Sequence, residues 1–236
     1  VGEQREGRGQ RGRGQRPGYA SRQQEHAEGG SEAPPAPAPA PAAAAPTGDD
    51  WGAGCLIQLL AAGPDGSRLE ALLQRYPEGW LATSSGLAID YAPLQRHLIL
   101  QEFEQADRVT SSLLRRLAGP EAEKRGYVYY SEVAAMPGVD LETLDRLWVC
   151  FSRGRFGFSV QGRLLQACGG QWERLWPRLG WKQDGIWTRY PGSFTWSLEA
   201  PEGHMPLINQ LRGVRLMDAL LAHPALAARI AQAGIG

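Results

Sequence analysis

The chain has 236 residues, and its 25 Lys and Arg balance 25 Asp and Glu, so no global field draws it to nucleic acid or to an anionic membrane. No apolar run approaches the roughly 18 to 20 residues of a membrane span, and no apolar stretch follows the N-terminal charges as in a secretory leader. Cys55, Cys150 and Cys168 lack C-x-x-C spacing, which argues against a disulfide framework or a thiolate metal site and for buried, reduced thiols.

The average conceals two unlike parts. Residues 1–50 carry one aromatic, Tyr19, while all eight Trp lie beyond them. A segment with so little to bury cannot offset its chain entropy, so residues 1–48 are expected to be a disordered Arg/Gly/Gln tail and an Ala-Pro spacer. Arg5, Arg8, Arg11, Arg13 and Arg16 resemble an Arg-Gly segment that contacts single strands, but the aromatics that stack on bases are missing. The tail reads better as solubilising, and no nucleic-acid partner is expected. Pro34 to Pro46 read as a semi-rigid extended spacer.

Residues 49–91 read as a short helical extension. Asp49 and Asp50 are expected to cap a helix with Trp51, Cys55, Leu56, Leu59 and Leu60 inward, and Ser67 to cap another with Leu69, Leu72 and Leu73, joined by the turn Gly63-Pro64-Asp65-Gly66. The core is expected over 92–226. Tyr91, Leu94 and Leu98, then Phe103, Ala106, Thr110, Leu113, Leu114 and Leu117, recur at helical spacing and predict a hairpin ending at Gly119-Pro120. After Met136-Pro137-Gly138, Asp140 is the expected cap of a helix that buries Leu141, Leu144, Leu147, Trp148 and Phe151 and leaves Glu142, Asp145 and Arg146 solvated. Arg153 and Arg155 are expected exposed in a turn; Ser159 begins a helix with Val160, Leu164, Leu165 and Cys168 inward; Gln171 to Trp176 form a short one stopped by Pro177. Ile186 to Leu198 alternate like a strand but contain Pro191-Gly192, and so predict an ordered loop or hairpin. Pro206 is expected to open a last helix running to about Ala222, with residues 227–236 a tail. The fold class is all-α, with no internal repeat.

That last helix has two apolar stripes. On a helical wheel Leu207, Leu211, Val214 and Leu221 share one arc, while Asn209, Arg212, Leu216 and Leu220 share the opposite one. One stripe suffices to anchor a helix, so the second suits a mostly apolar ligand with an anionic edge, which Arg212 can pair with two parallel hydrogen bonds and Asn209 with one more. Just upstream, Trp172, Trp176, Trp181, Trp187, Tyr190, Phe194 and Trp196 crowd into a short stretch. Trp172 and Trp176 are assigned to the core, and others to an apolar surface that stacks on a planar molecule. His204 is expected to position a turn rather than bind metal, and no catalytic or metal-binding motif is present.

Tyr129-Tyr130-Ser131-Glu132-Val133, Pro137-Gly138-Val139-Asp140-Leu141, Leu147-Trp148, Ser152 to Gln161, Gly180-Trp181-Lys182, Gly203-His204-Met205-Pro206 and Asn209 to Arg215, with Ala106-Asp107 and Thr110, closely resemble the Genomes-Uncoupled-Four family over about residues 92–226. The resemblance implies a compact multi-helix porphyrin-binding core and a non-catalytic protein that binds protoporphyrin IX or Mg-protoporphyrin IX and stimulates magnesium chelatase through its large, porphyrin-binding subunit. Asn209 and Arg212 match the family's carboxylate contacts. Trp187, Tyr190, Phe194 and Met205 are candidates for its aromatic and apolar contacts, and Leu216 joins them from the second stripe. The chain is expected to be a monomer, in the cytoplasm of a cyanobacterium or the chloroplast of a eukaryote, with peripheral membrane association left open. A bilin-binding or tetrapyrrole-sensing paralogue, or an interaction protein acting through the Arg-Gly tail, are the alternatives.

Overall fold

The computed structural model describes residues 48–61, 67–76, 79–207 and 214–232, which belong to one compact unit. The expected disordered tail and spacer, the 63–66 turn, and both Asn209 and Arg212 lie outside the described residues. Eleven helical segments and one two-strand hairpin make up the described part, so the protein is all-α.

The helix α1 spans Gly48–Ala61, so Asp49 and Asp50 fall inside its first turn rather than before it. Its expected inward stripe is corrected: Leu56 and Leu59 are 55% and 65% exposed, while Ile57 and Gln58 are buried. The cause is a close helix approach. A Cβ at Gly54 would stand 2.8 Å from the carbonyl oxygen of Cys150, so the face of Gly54, Ile57 and Gln58 is the one that can reach the core. Gln58 Nε2 donates to the Phe151 carbonyl there. The next helix, α2 (Ser67–Arg75), buries Leu69, and both helices share the hydrophobic cluster of the remaining chain.

The expected hairpin is present as α3 (Ala92–Ile99) and α4 (Phe103–Ala118), with all of its predicted inward residues buried. Gln95 is buried too, satisfied by Leu81: its Oε1 accepts from Leu81 N at 3.0 Å and its Nε2 donates to Leu81 O at 2.8 Å. A short helix α5 (Pro120–Arg125) and a 3₁₀ helix (Tyr130–Ala135) lead to the central α6, Gly138–Phe151. Its Trp148 stacks on Phe103 at 6.2 Å, and Trp148 Nε1 donates to Thr110 Oγ1 at 2.9 Å, which fixes α4 against it.

Two expectations for α6 are overturned. Asp140 is not the cap: it lies within the first turn, fully buried, and accepts from Tyr91 OH at 2.7 Å and Gly86 N at 2.8 Å, tying the preceding loop to the helix. Burial first, and then the Asp140 carboxylate, push the Tyr91 hydroxyl far above its usual range, so it stays a donor. Asp145, expected in solvent, is 0% exposed. Its two oxygens accept from Ser159 N at 2.8 Å and from Arg229 Nε at 2.6 Å.

Arg229 belongs to α10 (Pro224–Gln232), where a tail was expected from residue 227. Leu226 and Ile230 bury the inner face of α10 against α6 and α7 (Phe158–Ala167), so the core extends past the expected boundary of 226. Arg153 is exposed as expected, but Arg155 is half-buried and donates to Ala200 O at 2.7 Å. Next, α8 (Trp172–Arg178) includes Pro177 in its last turn instead of ending before it. A two-residue hairpin follows, β1 (Lys182–Gln183) antiparallel to β2 (Ile186–Trp187), and the chain then runs as a loop to Leu207. The described part of the last expected helix is α9, Arg215–Ala222.

Candidate functional site

The loop from Thr188 to Leu207 is held at both ends by bonds that the local sequence supplies. At its start Thr188 N donates to Trp181 O and Thr188 Oγ1 to Gly180 O, each at 2.9 Å. Toward its end Gln161 Nε2, buried on α7, donates to Gly203 O at 2.9 Å and Pro206 O at 2.8 Å. Trp181 Nε1 donates to His204 O at 2.9 Å, Gly157 N to Met205 O at 3.0 Å, and Leu207 N to Asp107 Oδ1 at 2.6 Å. Pro206 and Leu207 are not helical, so Pro206 does not open a helix as expected, and its carbonyl is taken by Gln161. His204 positions the turn: its Nδ1 meets Leu179 O at 2.6 Å, so this nitrogen carries the proton, and burial pushes the ring's pKa below its usual value.

Aromatic residues of this region form two groups. Trp172, Trp176 and Trp181 stack in a row at 5.3 and 5.8 Å between centroids, and Trp187 leans on Trp176 at 5.5 Å. Trp176 is buried and Trp172 half-buried, matching their assignment to the core, and Trp181 joins them, whereas Trp187 is 41% exposed. Tyr190, Phe194 and Trp196 make the second group, with centroids about 6 Å apart, and the His204 ring lies 5.2 Å from Phe194. Tyr190 is 49% exposed and Phe194 is buried beneath it. A hollow of about 450 Å³ opens beside the hairpin, lined by Trp187, Thr188, Arg189, Ser193 and Thr195 among others.

The sequence-predicted site residues therefore separate by depth. Trp187 and Tyr190 present aromatic surface, one beside the hollow and one in the second aromatic group. Phe194 supports Tyr190 from below, Met205 is fully buried, and Leu216 on α9 is packed in the core, so the latter two shape the scaffold under the surface. Asn209 and Arg212 lie outside the described residues, but both flanks are anchored: Leu207 on Asp107 of α4, and α9 on the 3₁₀ helix and α7.

Sequence reasoning missed two features. Asp107 is a buried carboxyl, pushed up to about 7 chiefly by desolvation, with the Leu207 amide and Arg108 pulling it back. Its signal was an acidic residue on the apolar stripe of α4, between Phe103 and Thr110. The other is a basic and aromatic surface around the 3₁₀ helix. Arg125 lies over the rings of Tyr127 and Tyr129 at 4.7 and 4.1 Å and donates to both oxygens of Glu132, while Arg215 of α9 faces Tyr130 at 5.5 Å. Among the described residues no group of three or more His, Cys, Asp or Glu is gathered for a metal ion.

The fold is thus that of a small all-α protein whose helical scaffold holds an aromatic loop at both ends and leaves ring faces open. The GUN4-like family profile matches residues 84–224, and the chain belongs to that family. The motifs in the sequence pointed to the same family. The chain is 50% identical over 153 residues to a Ycf53-like protein of Synechocystis sp., a stretch covering 65% of this chain and 66% of the relative. It is 39% identical over 143 residues to a chloroplastic tetrapyrrole-binding protein of Arabidopsis thaliana, covering 57% of this chain and 54% of that one. The chain thus spans just under two thirds of the first of these relatives and about half of the second. Among solved structures it is similar to GUN4 from Chlamydomonas reinhardtii, with a TM-score of 0.59 and 38% identity over 62% of this chain and 94% of that one. A ligand-free GUN4 structure from Arabidopsis thaliana gives 0.55 and 40% over 59% and 99%. No helix among the described residues is long and apolar enough to cross a membrane.

Proposed function

We propose that this protein binds a tetrapyrrole, protoporphyrin IX or Mg-protoporphyrin IX, without transforming it, and that the loaded protein stimulates magnesium chelatase by docking on its large subunit. The observation that carries the reading is the pair of exposed ring faces, Trp187 at the end of the hairpin and Tyr190 on the loop that follows it and is fastened at both ends. A flat apolar macrocycle gains most from preformed aromatic faces that need no ordering on binding. The name of the Arabidopsis relative supports the ligand class.

In this reading Trp187 and Tyr190 take the face of the ring, with Phe194, Met205 and Leu216 keeping that surface stiff. Arg212 pairs with a carboxylate on the ring's edge, and Asn209 adds a neutral hydrogen bond. A central Mg ion needs no ligand from the protein. The protein acts as a monomer in the aqueous phase of a cyanobacterial cell or a chloroplast.

Tryptophan-quenching titration of the full chain with both porphyrins tests the reading. Arg212→Ala is expected to weaken binding about tenfold or more, a loss of roughly 1.5 to 3 kcal/mol of charge-assisted hydrogen bonding. An unchanged titration removes Arg212 from the site. Chelatase turnover that is the same with and without the loaded protein removes the partner.

A further inference from the structure

The bonds that fasten the far end of the aromatic loop differ in kind. Those from Gln161, Trp181 and Gly157 run between amides, an indole and carbonyls, none of which titrates near neutrality. The His204 ring bond to Leu179 joins a group whose burial keeps it neutral there. Among the described residues, the bond from Leu207 N to Asp107 Oδ1, at 2.6 Å, is the one at this end made to a carboxyl group. It joins elements a hundred residues apart in sequence and so ties the end of the loop to α4.

We propose that Asp107 is a positioning residue whose carboxylate fastens the loop end to α4, and whose protonation loosens that end and weakens ligand binding at the aromatic surface. The inference rests on the tetrapyrrole reading above. An amide hydrogen bond to a carboxylate is roughly twice as strong as one to a neutral acid, so the fastening follows the charge on Asp107. The charged and titratable groups that act on it are Arg108 and Glu104 on its own helix and Tyr190 on the loop packed against it. Arg108 favours the carboxylate and Glu104 opposes it, while desolvation dominates both and brings the titration to about 7. Tyr190 senses the same charge, since Asp107 helps to hold its hydroxyl protonated. One side chain thus bonds the end of the loop and acts through its charge on the exposed ring that the ligand is to meet.

The test compares the full chain with Asp107→Asn, which keeps an oxygen for Leu207 N but has no charge to lose. Two quantities are read at pH 6 and pH 8: protoporphyrin affinity by tryptophan quenching, and the amide ¹H–¹⁵N shift of Leu207. The wild-type protein is expected to bind about threefold to tenfold more weakly at pH 6 than at pH 8. Its Leu207 amide titrates with a midpoint near that of Asp107, and the Asn variant shows neither effect. Porphyrin self-association changes with pH identically for both proteins and cancels in the comparison. Matching pH profiles of affinity in the two proteins overturn the inference and leave the tetrapyrrole reading standing. A titrating Leu207 amide with no porphyrin bound at either pH overturns that reading, and the coupling to ligand with it.

Discussion

Asp145 and Asp107 are both carboxyls without solvent, and the protein treats them in opposite ways. Asp145 has a guanidinium and a backbone amide within 2.8 Å, so its charge is met on both oxygens. Removing one partner leaves the other buried and uncompensated: Arg229→Ala is expected to cost about 3 to 5 kcal/mol, read from urea unfolding midpoints. A double replacement of Asp145 and Arg229 by apolar residues of similar volume should recover much of that loss. Among the described residues Asp107 has one amide and no cation bonded to it, and burial raises it to about 7. A carboxyl that is higher in the folded state than in the unfolded chain binds its proton more tightly when folded, so stability falls as pH rises from about 4 to about 7. Asp107→Asn should therefore gain on the wild-type protein by about 2 to 4 kcal/mol between pH 5 and pH 8. Thermal unfolding of the two across that range checks it, and a difference that stays constant with pH contradicts it. Asp107 carried a signal, an acidic residue on the apolar stripe of α4, whereas Asp145, beside Glu142 and Arg146, was expected in solvent. The sequence could not tell which of them would meet a cation, because that cation comes from α10, 84 residues away.

At the scale of elements, helix closeness decides which stripe is inside. The predicted hairpin α3–α4 matched, and α6 buries its predicted stripe together with Val139, Thr143, Val149 and Cys150, so it is enclosed on nearly every side. In α1 the inward face holds Gly54, Ile57 and Gln58 and leaves Leu56 and Leu59 outside, because backbone approach rather than apolar count decides which face turns in. A second close approach joins α7 to α10. A Cβ on Gly162 would lie 2.2 Å from Ile230 Cδ1 and 2.6 Å from Cγ1, so the side chain would have to be displaced as a whole. Gly162→Ala is expected to destabilise by about 1 to 3 kcal/mol despite its better helix propensity. Adding Ile230→Ala should cost less in that background than in the wild type, and a double-mutant cycle with no coupling would show that the two helices separate freely.

The molecule as a whole is closed by its C-terminal helix. Without α10, the faces of α6 and α7 beneath Leu226 and Ile230 meet water and Asp145 loses its cation. A chain ended after His223 is expected to lose more stability than Arg229→Ala alone, and equal melting temperatures for the two would show that the apolar face of α10 adds nothing. The candidate site was legible as an excess of aromatic residues, but their division into a buried row and an exposed pair was not, since that depends on where the hairpin and α8 come to rest. The row itself carries a consequence for optical measurements. Indoles held under 6 Å apart pass excitation among themselves, so light absorbed by the hidden Trp181 migrates through Trp176 to Trp187 at the surface. A ligand touching only the outermost ring then dims emission from indoles it never reaches, and the depth of quenching counts the rings in communication, not the rings in contact.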